Sequence, residues 1–582
     1  VDIVTIASET VKHFDTLALA IADAGLIVGD RIVTKGHTAG DDGGAAYNVV
    51  AAATGTDDGI LFADTDNSLQ LEREPIRDQV FNVVADMVAA PWLGIGDTAS
   101  TLGYFAIADG GKAGYRMTAD AVVDDVGNHD LDNGNSAILL SEGAISWNEF
   151  GFLTSRTGAQ NKTAFTAIQI PALAGELSQT LDDGVYPIVG PIQLALGTTL
   201  RGKSVRGTIL DFDNTVDTDG VQMTGGGPPS GLHDLTVRRL GGGVASTKIG
   251  VSLFAGDGKY TSNLFLSGFS TNYRSDASGD VVVSDIISEL ASINFYFSDW
   301  SFHTLSNLIS ASSTTIGFLF EKSTDSLADR MLFGRNLITR GDGGASDTGV
   351  KITKTGSFTG PVDDIDIEAF VTASGTGASI ESMGLATVKI RSLNCATAGV
   401  VAKSCAGTRL IVHDKGSAIG LDIETTCSNM GVSNSSFIGC TTRGIRTAAT
   451  TQVINCLFSG ATSGIETNIS STARIFKAAD NSFQSVTSAY IFATGANRAF
   501  ISGSSYNSVT NRVLNTAGIK FVGSVEVGDT SFPTQHRANA GTPVGVITPL
   551  FIGEELLNTS GSAGTRWFKA FGSTNTSWDP MS

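Results

Sequence analysis

From about Val185 onward the chain alternates short apolar runs of four to seven residues with Gly, Ser, Asn and Asp. That is the pattern of brief β-strands between turns. Between Gly399 and Ile465 the punctuation is nearly periodic. Gly-Val at 399, Gly-Leu at 420, Gly-Ile at 444 and Gly-Ile at 464 give steps of 21, 24 and 20. A second marker runs in phase, with Asn434-Ser435-Ser436-Phe437 and Asn455-Cys456-Leu457-Phe458 21 residues apart. Similar runs begin at Asn263, Asp364 and Thr387. Two or three short strands every 20 to 29 residues predict a solenoid. The leucine-rich consensus is absent, and a propeller blade needs about 40 residues. A parallel β-helix fits, because its coils stack at strand spacing, roughly 4.8 Å, and line up like residues inside the tube.

The first 150 residues read differently. Gly29-Asp30, Gly36-His37 and Asp42-Gly43-Gly44 recur 67 residues later as Gly96-Asp97, Gly103-Tyr104 and Asp109-Gly110-Gly111. Tandem small β-modules are expected from such a repeat. Each copy reaches an Asp/Asn-rich turn (Asp64-Thr65-Asp66-Asn67 and Asp130-Leu131-Asp132-Asn133). Neither turn has the distal Glu of an EF-hand, so ordinary Asx turns are expected rather than a metal site. Apolar residues at helical spacing predict helices over 13–28 and 163–177. After about Val525 proline becomes denser, and the end reads as a β-rich module closing the solenoid. The expected domains are an α+β module over 1–84, its second copy over 85–150, a right-handed parallel β-helix over 151–525 and a cap over 526–582.

Composition narrows the partners. Of 582 residues 38 are Lys or Arg and 58 Asp or Glu, a net charge of −20. An acidic surface argues against nucleic acid. No run approaches 18 apolar residues, so membrane insertion is not expected. No charged-then-apolar leader follows Val1, so export by a cleaved peptide is not expected either. The five cysteines, Cys395, Cys405, Cys427, Cys440 and Cys456, lack metal-ligand spacing and read as reduced core residues, with Cys405 and Cys427 neighbours in a ladder. Reduced cysteines imply folding in a reducing cytoplasm.

Three segments carry a resemblance. Gly29-Asp30-Arg31-Ile32-Val33-Thr34 through Asp42-Gly43-Gly44-Ala45-Ala46-Tyr47 resembles the small domain ahead of the solenoid in bacteriophage tailspike proteins. Asp183-Gly184-Val185-Tyr186-Pro187-Ile188, with Leu200-Arg201-Gly202-Lys203, is similar to the first coil of pectate-lyase-like right-handed β-helices. Thr548-Pro549-Leu550-Phe551-Ile552-Gly553-Glu554-Glu555, with Trp567-Phe568-Lys569-Ala570, resembles a terminal module of phage and bacterial surface proteins. The resemblance implies a homotrimer on a phage tail, attached through its N-terminal side. It would bind and cut a bacterial surface polysaccharide, O-antigen or capsule, acting outside the host after folding in the host cytoplasm. The family's Asp-rich approach to the first coil is here Gly158-Ala159-Gln160-Asn161-Lys162-Thr163.

The seven histidines show no metal-ligand spacing, no phosphate loop or nucleophile elbow is present, and no cofactor is expected. Glycosidases place two carboxyl groups about 5 to 9.5 Å apart, a distance that one or two coils span. Asp299 and Glu321 are 22 residues apart, one coil, and form the first candidate pair. With Phe295, Phe297, Phe318 and Phe320 inward, Tyr296 and Glu321 face out, and Asp299 and Trp300 end the strand. An exposed Tyr296 and Trp300 suit sugar faces, and His303, Arg330 and Arg335 are the further substrate-binding candidates. Asp364, Asp366 and Glu368 alternate outward, opposite Lys389, Arg391, Arg409 and His413 on later coils. They read as a salt-bridged ladder or a second catalytic groove, with Asp366 and Glu368 the fallback pair. Endoglycosidic hydrolysis is the expected reaction; β-elimination on a uronic-acid capsule and pure adhesion remain open.

Overall fold

The computed structural model describes Val11 to Met581 apart from 37–43, 52–61, 75–78, 120–126, 141–143, 173–177, 241–246, 324–330, 342–346, most of 356–364, 469–474, 493–497, a few shorter gaps and most of the chain after 515. It divides into two compact units, 1–213 with 231–236, and 214–230 with 237–582.

In the first unit two five-stranded sheets share one plan. Strands Val11–Thr16, Arg31–Gly36, Ala46–Ala51, Leu69–Arg73 and Phe62–Asp64 lie in that spatial order. Strands Gln79–Phe81, Thr98–Thr101, Ala113–Thr118, Ser136–Leu139 and His129–Asp130 repeat it. In each the first pair is parallel and the next antiparallel. The recurring tyrosines, Tyr47 and Tyr115, anchor the two separate cores.

The helix predicted over 13–28 is confined to Leu17–Ile21. Residues 11–16 pair in parallel with 31–36 instead, so backbone pairing overrides the helical spacing. Thr16 then caps the short helix, its Oγ1 accepting from the Leu19 amide at 3.3 Å. A longer helix, Gly158–Ala172, precedes strands Ser178–Leu181 and Gly184–Ile188. These pair in parallel with Thr199–Gly202 and Thr208–Phe212.

The second unit is a parallel β-solenoid. One long sheet includes Lys259–Ser267, Val281–Glu289, Phe302–Ala311, Met331–Arg340, Ile365–Thr372, Thr387–Leu393 and Arg409–Lys415 in sequence order. A second runs Val221–Thr224, Ile249–Gly256, Thr271–Ser278, Ile293–Ser298, Ile316–Lys322, Thr348–Lys354 and Thr376–Glu381, and continues to Asn511–Asn515. Lys259 pairs with Val281 and Val281 with His303, steps of 22, whereas His303 to Leu332 and Leu332 to Ile365 take 29 and 33. The longer coils spend the extra residues on loops rather than on strands. A four-stranded sheet, 537–581, ends the chain.

Stacking explains the periodic glycines. A Cβ on Gly444 would lie 2.5 Å from the Phe458 ring and 2.7 Å from the Gly464 carbonyl oxygen. Only glycine lets these strands pass so close to the aromatic ladder of Phe437, Phe458 and Phe483, whose ring centroids are 5.2 and 4.8 Å apart. Bends repeat too. Asn263, Asp285, Asn307 and Asn336 each adopt φ between 52° and 56°. Asx residues tolerate that left-handed region best among residues with a Cβ. Asn336 donates to Asn307 and Asn307 to Asp285, both at 2.9 Å. Cys405 and Cys427 are stacked and buried, the Cys405 amide donating to the Cys427 Sγ at 3.4 Å.

Candidate functional site

Strands of the second sheet alternate faces, so every second residue leaves the core. Arg274 pairs with Tyr296 and Tyr296 with Leu319; Asp276 pairs with Ser298 and Ser298 with Glu321. Beneath them Phe295 stacks on Phe318 at 4.9 Å and Phe297 on Phe320 at 5.4 Å. The outer columns thus bring Arg274, Asp276, Tyr296, Ser298 and Glu321 onto one surface. Asp276 and Glu321 are two coils apart, roughly 9 to 10 Å along the stack.

The groups are interlocked. Arg274 donates to Asp276 Oδ2 at 2.6 Å, and its guanidinium carbon lies 4.8 Å above the Tyr296 ring. Ser298 Oγ donates to Asp276 Oδ1 at 2.5 Å, and Thr355 Oγ1 to Glu321 Oε1 at 2.5 Å. Burial, with the Glu321 carboxylate beside it, pushes the Tyr296 phenol up to about 12. It stays protonated at neutral pH and is available as a hydrogen-bond donor.

Asp299 and Trp300 lie elsewhere than the sequence pattern places them. Asp299 takes a left-handed bend, φ 45°, at the end of its strand, and is 6% exposed. Its carboxylate accepts from the Ser323 amide at 2.8 Å and from the Ser323 hydroxyl. The bend reverses the alternation, so Trp300 turns into the tube, fully buried, instead of offering a face to sugar. Its ring meets Phe320 edge-on at 6.4 Å and carries the Lys322 ammonium 4.0 Å above it. His303 is also interior, bonded through Nε2 to Ser275 Oγ at 2.9 Å. Burial, reinforced by Lys322, pushes its imidazole down to about 3. None of these three side chains presents a surface to a polysaccharide.

The fallback carboxylates lie on the first sheet. Arg335 pairs with Asp366 through two nitrogens, at 2.5 and 3.1 Å. Glu368 meets Lys389 at 2.7 Å and Arg391 at 3.5 Å. The Lys389 hydrogen bond holds the Glu368 carboxyl below the usual carboxylate range. Ion-paired carboxylates of this kind cannot hold the proton that a general acid must deliver at neutral pH. A cavity of about 470 Å³ opens beside Arg335, Glu368, Phe370 and Arg391. Arg330 and Asp364 lie outside the described residues.

Sequence reasoning missed Arg274 and Asp276. The signal was present, because stepping back one coil of 22 residues from Tyr296 and Ser298 reaches them.

No protein-family profile matches the chain, and no curated protein sequence does. Among solved structures it is similar to the tailspike of Acinetobacter phage vb_AbaP_AS12, at 12% identity and TM-score 0.45 over 87% of this chain and 94% of that one. It is similar to a tailspike protein of Acinetobacter baumannii bacteriophage Fri1, a capsular polysaccharide depolymerase, at 14% identity and TM-score 0.41 over 75% of each chain. It is also similar to the catalytic domain of a GH87 alpha-1,3-glucanase, at 9% identity and TM-score 0.37 over 67% of this chain and 71% of that one.

Proposed function

We propose that the chain is a phage tailspike that binds a bacterial surface polysaccharide and cuts it by endoglycosidic hydrolysis, with Glu321 and Asp276 as the paired carboxylates. The observation that carries this reading is their placement, on one outer face, two coils apart, with Tyr296 between them. A separation near 9 Å leaves room for a water, as an inverting mechanism requires. Glu321, held by Thr355 rather than by a cation, is assigned the general acid. Asp276, kept ionised beside Arg274, is assigned the base that activates water. The raised Tyr296 phenol is a poor base at neutral pH, which favours hydrolysis over β-elimination. In the same reading three copies assemble, residues 1–150 attach to the tail, and 526–582 cap the solenoid.

The test is product analysis on host polysaccharide. The wild type should release reducing ends without the ultraviolet absorbance of a new double bond. Glu321→Gln and Asp276→Asn should each lower turnover by about 10²- to 10⁴-fold with polysaccharide binding retained. Near-native turnover in both variants would overturn the assignment, and an absorbing product would overturn the hydrolysis.

A further inference from the structure

The largest described cavity lies well along the solenoid from these carboxylates, on the other sheet. It measures about 570 Å³ and is lined by Arg409, Gly431, Ser433, Gln452 and Lys477 among others. Arg409, Gly431, Gln452 and Lys477 occupy one outward column on four successive coils. The cavity exists because the second position of that column has no side chain.

Nothing local requires glycine at 431. A Cβ there would meet no atom nearer than 3.9 Å, and its φ is not left-handed. Glycine inside a strand sacrifices stability, and where backbone geometry does not demand it, it marks a place that something else approaches closely.

The charge of the slot is unusual for this protein. The chain carries 58 acidic residues against 38 Lys and Arg, yet no Asp or Glu lines the cavity. Arg409 and Lys477 are both exposed. Arg409 donates from Nε to Ser433 Oγ at 3.2 Å, and neither cation pairs with a carboxylate among the described residues. Arg335, Lys389, Arg391, Arg443 and Arg446 along the same solenoid are all neutralised by Asp or Glu. Two unneutralised cations at the ends of an open slot, about 14 Å apart by three strand spacings, attract an anion. A neighbouring cavity shares Gly407 and Arg409 and adds the exposed apolar side chains Met331, Phe333 and Leu385. Apolar surface running into a cationic slot suits a sugar chain, whose C–H faces need the first and whose acidic group needs the second.

We propose that the slot over Gly431 is a binding subsite for a carboxylate-bearing sugar residue of the polysaccharide. The inference rests on the polysaccharide-binding reading above but not on where the chain is cut. Arg409 would clamp the carboxylate with its free guanidinium nitrogens, and Lys477 would hold a second acidic residue or the far side of the same one.

The experiment uses the full chain and two probes, tetragalacturonate and the same tetramer with its carboxyl groups reduced to alcohols. The acid should bind and the reduced form should not. Arg409→Gln and Lys477→Gln should each weaken binding of the acid by about tenfold or more, the scale of a lost charge-assisted hydrogen bond. Gly431→Val, which fills the slot without altering charge, should abolish it, with the circular dichroism spectrum unchanged. Equal binding of both probes, no binding of the acid, or an unchanged Kd in the double charge variant would overturn the proposal. Glu321→Gln should bind the acid as the wild type does. Uronate binding together with near-native turnover in that variant and in Asp276→Asn would remove only the assigned carboxylates.

Discussion

Phe297 and Phe320 lie one coil apart inside the solenoid, their ring centroids 5.4 Å apart and their planes within 14°. Each is the immediate neighbour in sequence of a surface group, Phe297 of Tyr296 and Ser298, Phe320 of Glu321. The buried stack therefore fixes the height and tilt of the candidate site above it. Phe320→Ala should cost about 3–5 kcal/mol in unfolding free energy, the usual range for a buried phenylalanine. It should also lower turnover. Phe458→Ala, in the distant stack with Phe437 and Phe483, should destabilise comparably and leave turnover per folded molecule unchanged. Equal turnover losses in both variants would show that the stack near Glu321 has no special bearing on the site.

Asp299 separates a corner from a catalyst. Its φ of 45° and its two bonds from Ser323 give it a structural task. Asp299→Asn, which tolerates the bend, should keep most activity, whereas Asp299→Ala should lower stability by about 1–3 kcal/mol through the lost bonds and the left-handed backbone. Thermal unfolding and turnover measured on both variants check this. Loss of turnover by orders of magnitude in a fully folded Asp299→Asn would return it to the catalytic pair.

His303 makes the solenoid acid-sensitive. Its folded value near 3 lies below the ordinary 6.5, because burial, then Lys322, disfavours the imidazolium. The stability it contributes is present above about pH 6.5 and is lost as pH falls toward 3, since the unfolded chain binds the proton first. His303→Gln should therefore show a smaller drop in unfolding temperature between pH 7 and pH 4 than the wild type, by calorimetry. An identical drop in the two proteins would contradict this.

Glu149 should act in the opposite sense. It is half-buried ahead of the solenoid, and burial, with Asp182 adding to it, pushes its carboxyl up to about 7 from the ordinary 4.5. Its contribution is present below about pH 4.5 and is lost as pH rises to about 7. Glu149→Gln should gain unfolding temperature relative to the wild type when both are moved from pH 5 to pH 8. A constant difference across that range would exclude the proposed titration.

What the sequence made legible follows from stacking. Glycines near Phe rings recur at coil spacing because neighbouring coils must fit one another, and Gly399, Gly420, Gly444 and Gly464 mark that constraint openly. Tyr296 and Glu321 were readable as outward because plain alternation holds within their strands. Alternation fails at corners. Asp299 carries no letter that announces a left-handed bend, so Trp300 read as exposed although it is buried. The strand Val11–Thr16 was hidden because its partner lies 20 residues ahead, while helical spacing is visible locally. The carboxylates of Asp366 and Glu368 were legible as opposite to Lys389 and Arg391, but only the coordinates pair Asp366 with Arg335 across a 31-residue loop.

The register of the second unit has a consequence for how the chain reaches its fold. Val281 pairs with His303 and Thr387 with Arg409, so each rung is completed by residues about two dozen positions away, never by a distant segment. A large all-parallel sheet ordinarily implies slow folding, because non-local closure must come before any reward. Here every closure is short, and its entropy cost grows only with the logarithm of the loop. Once one coil exists, growth is a zipper that advances one rung at a time, and a rung that closes wrongly stalls only what has still to be added beyond it.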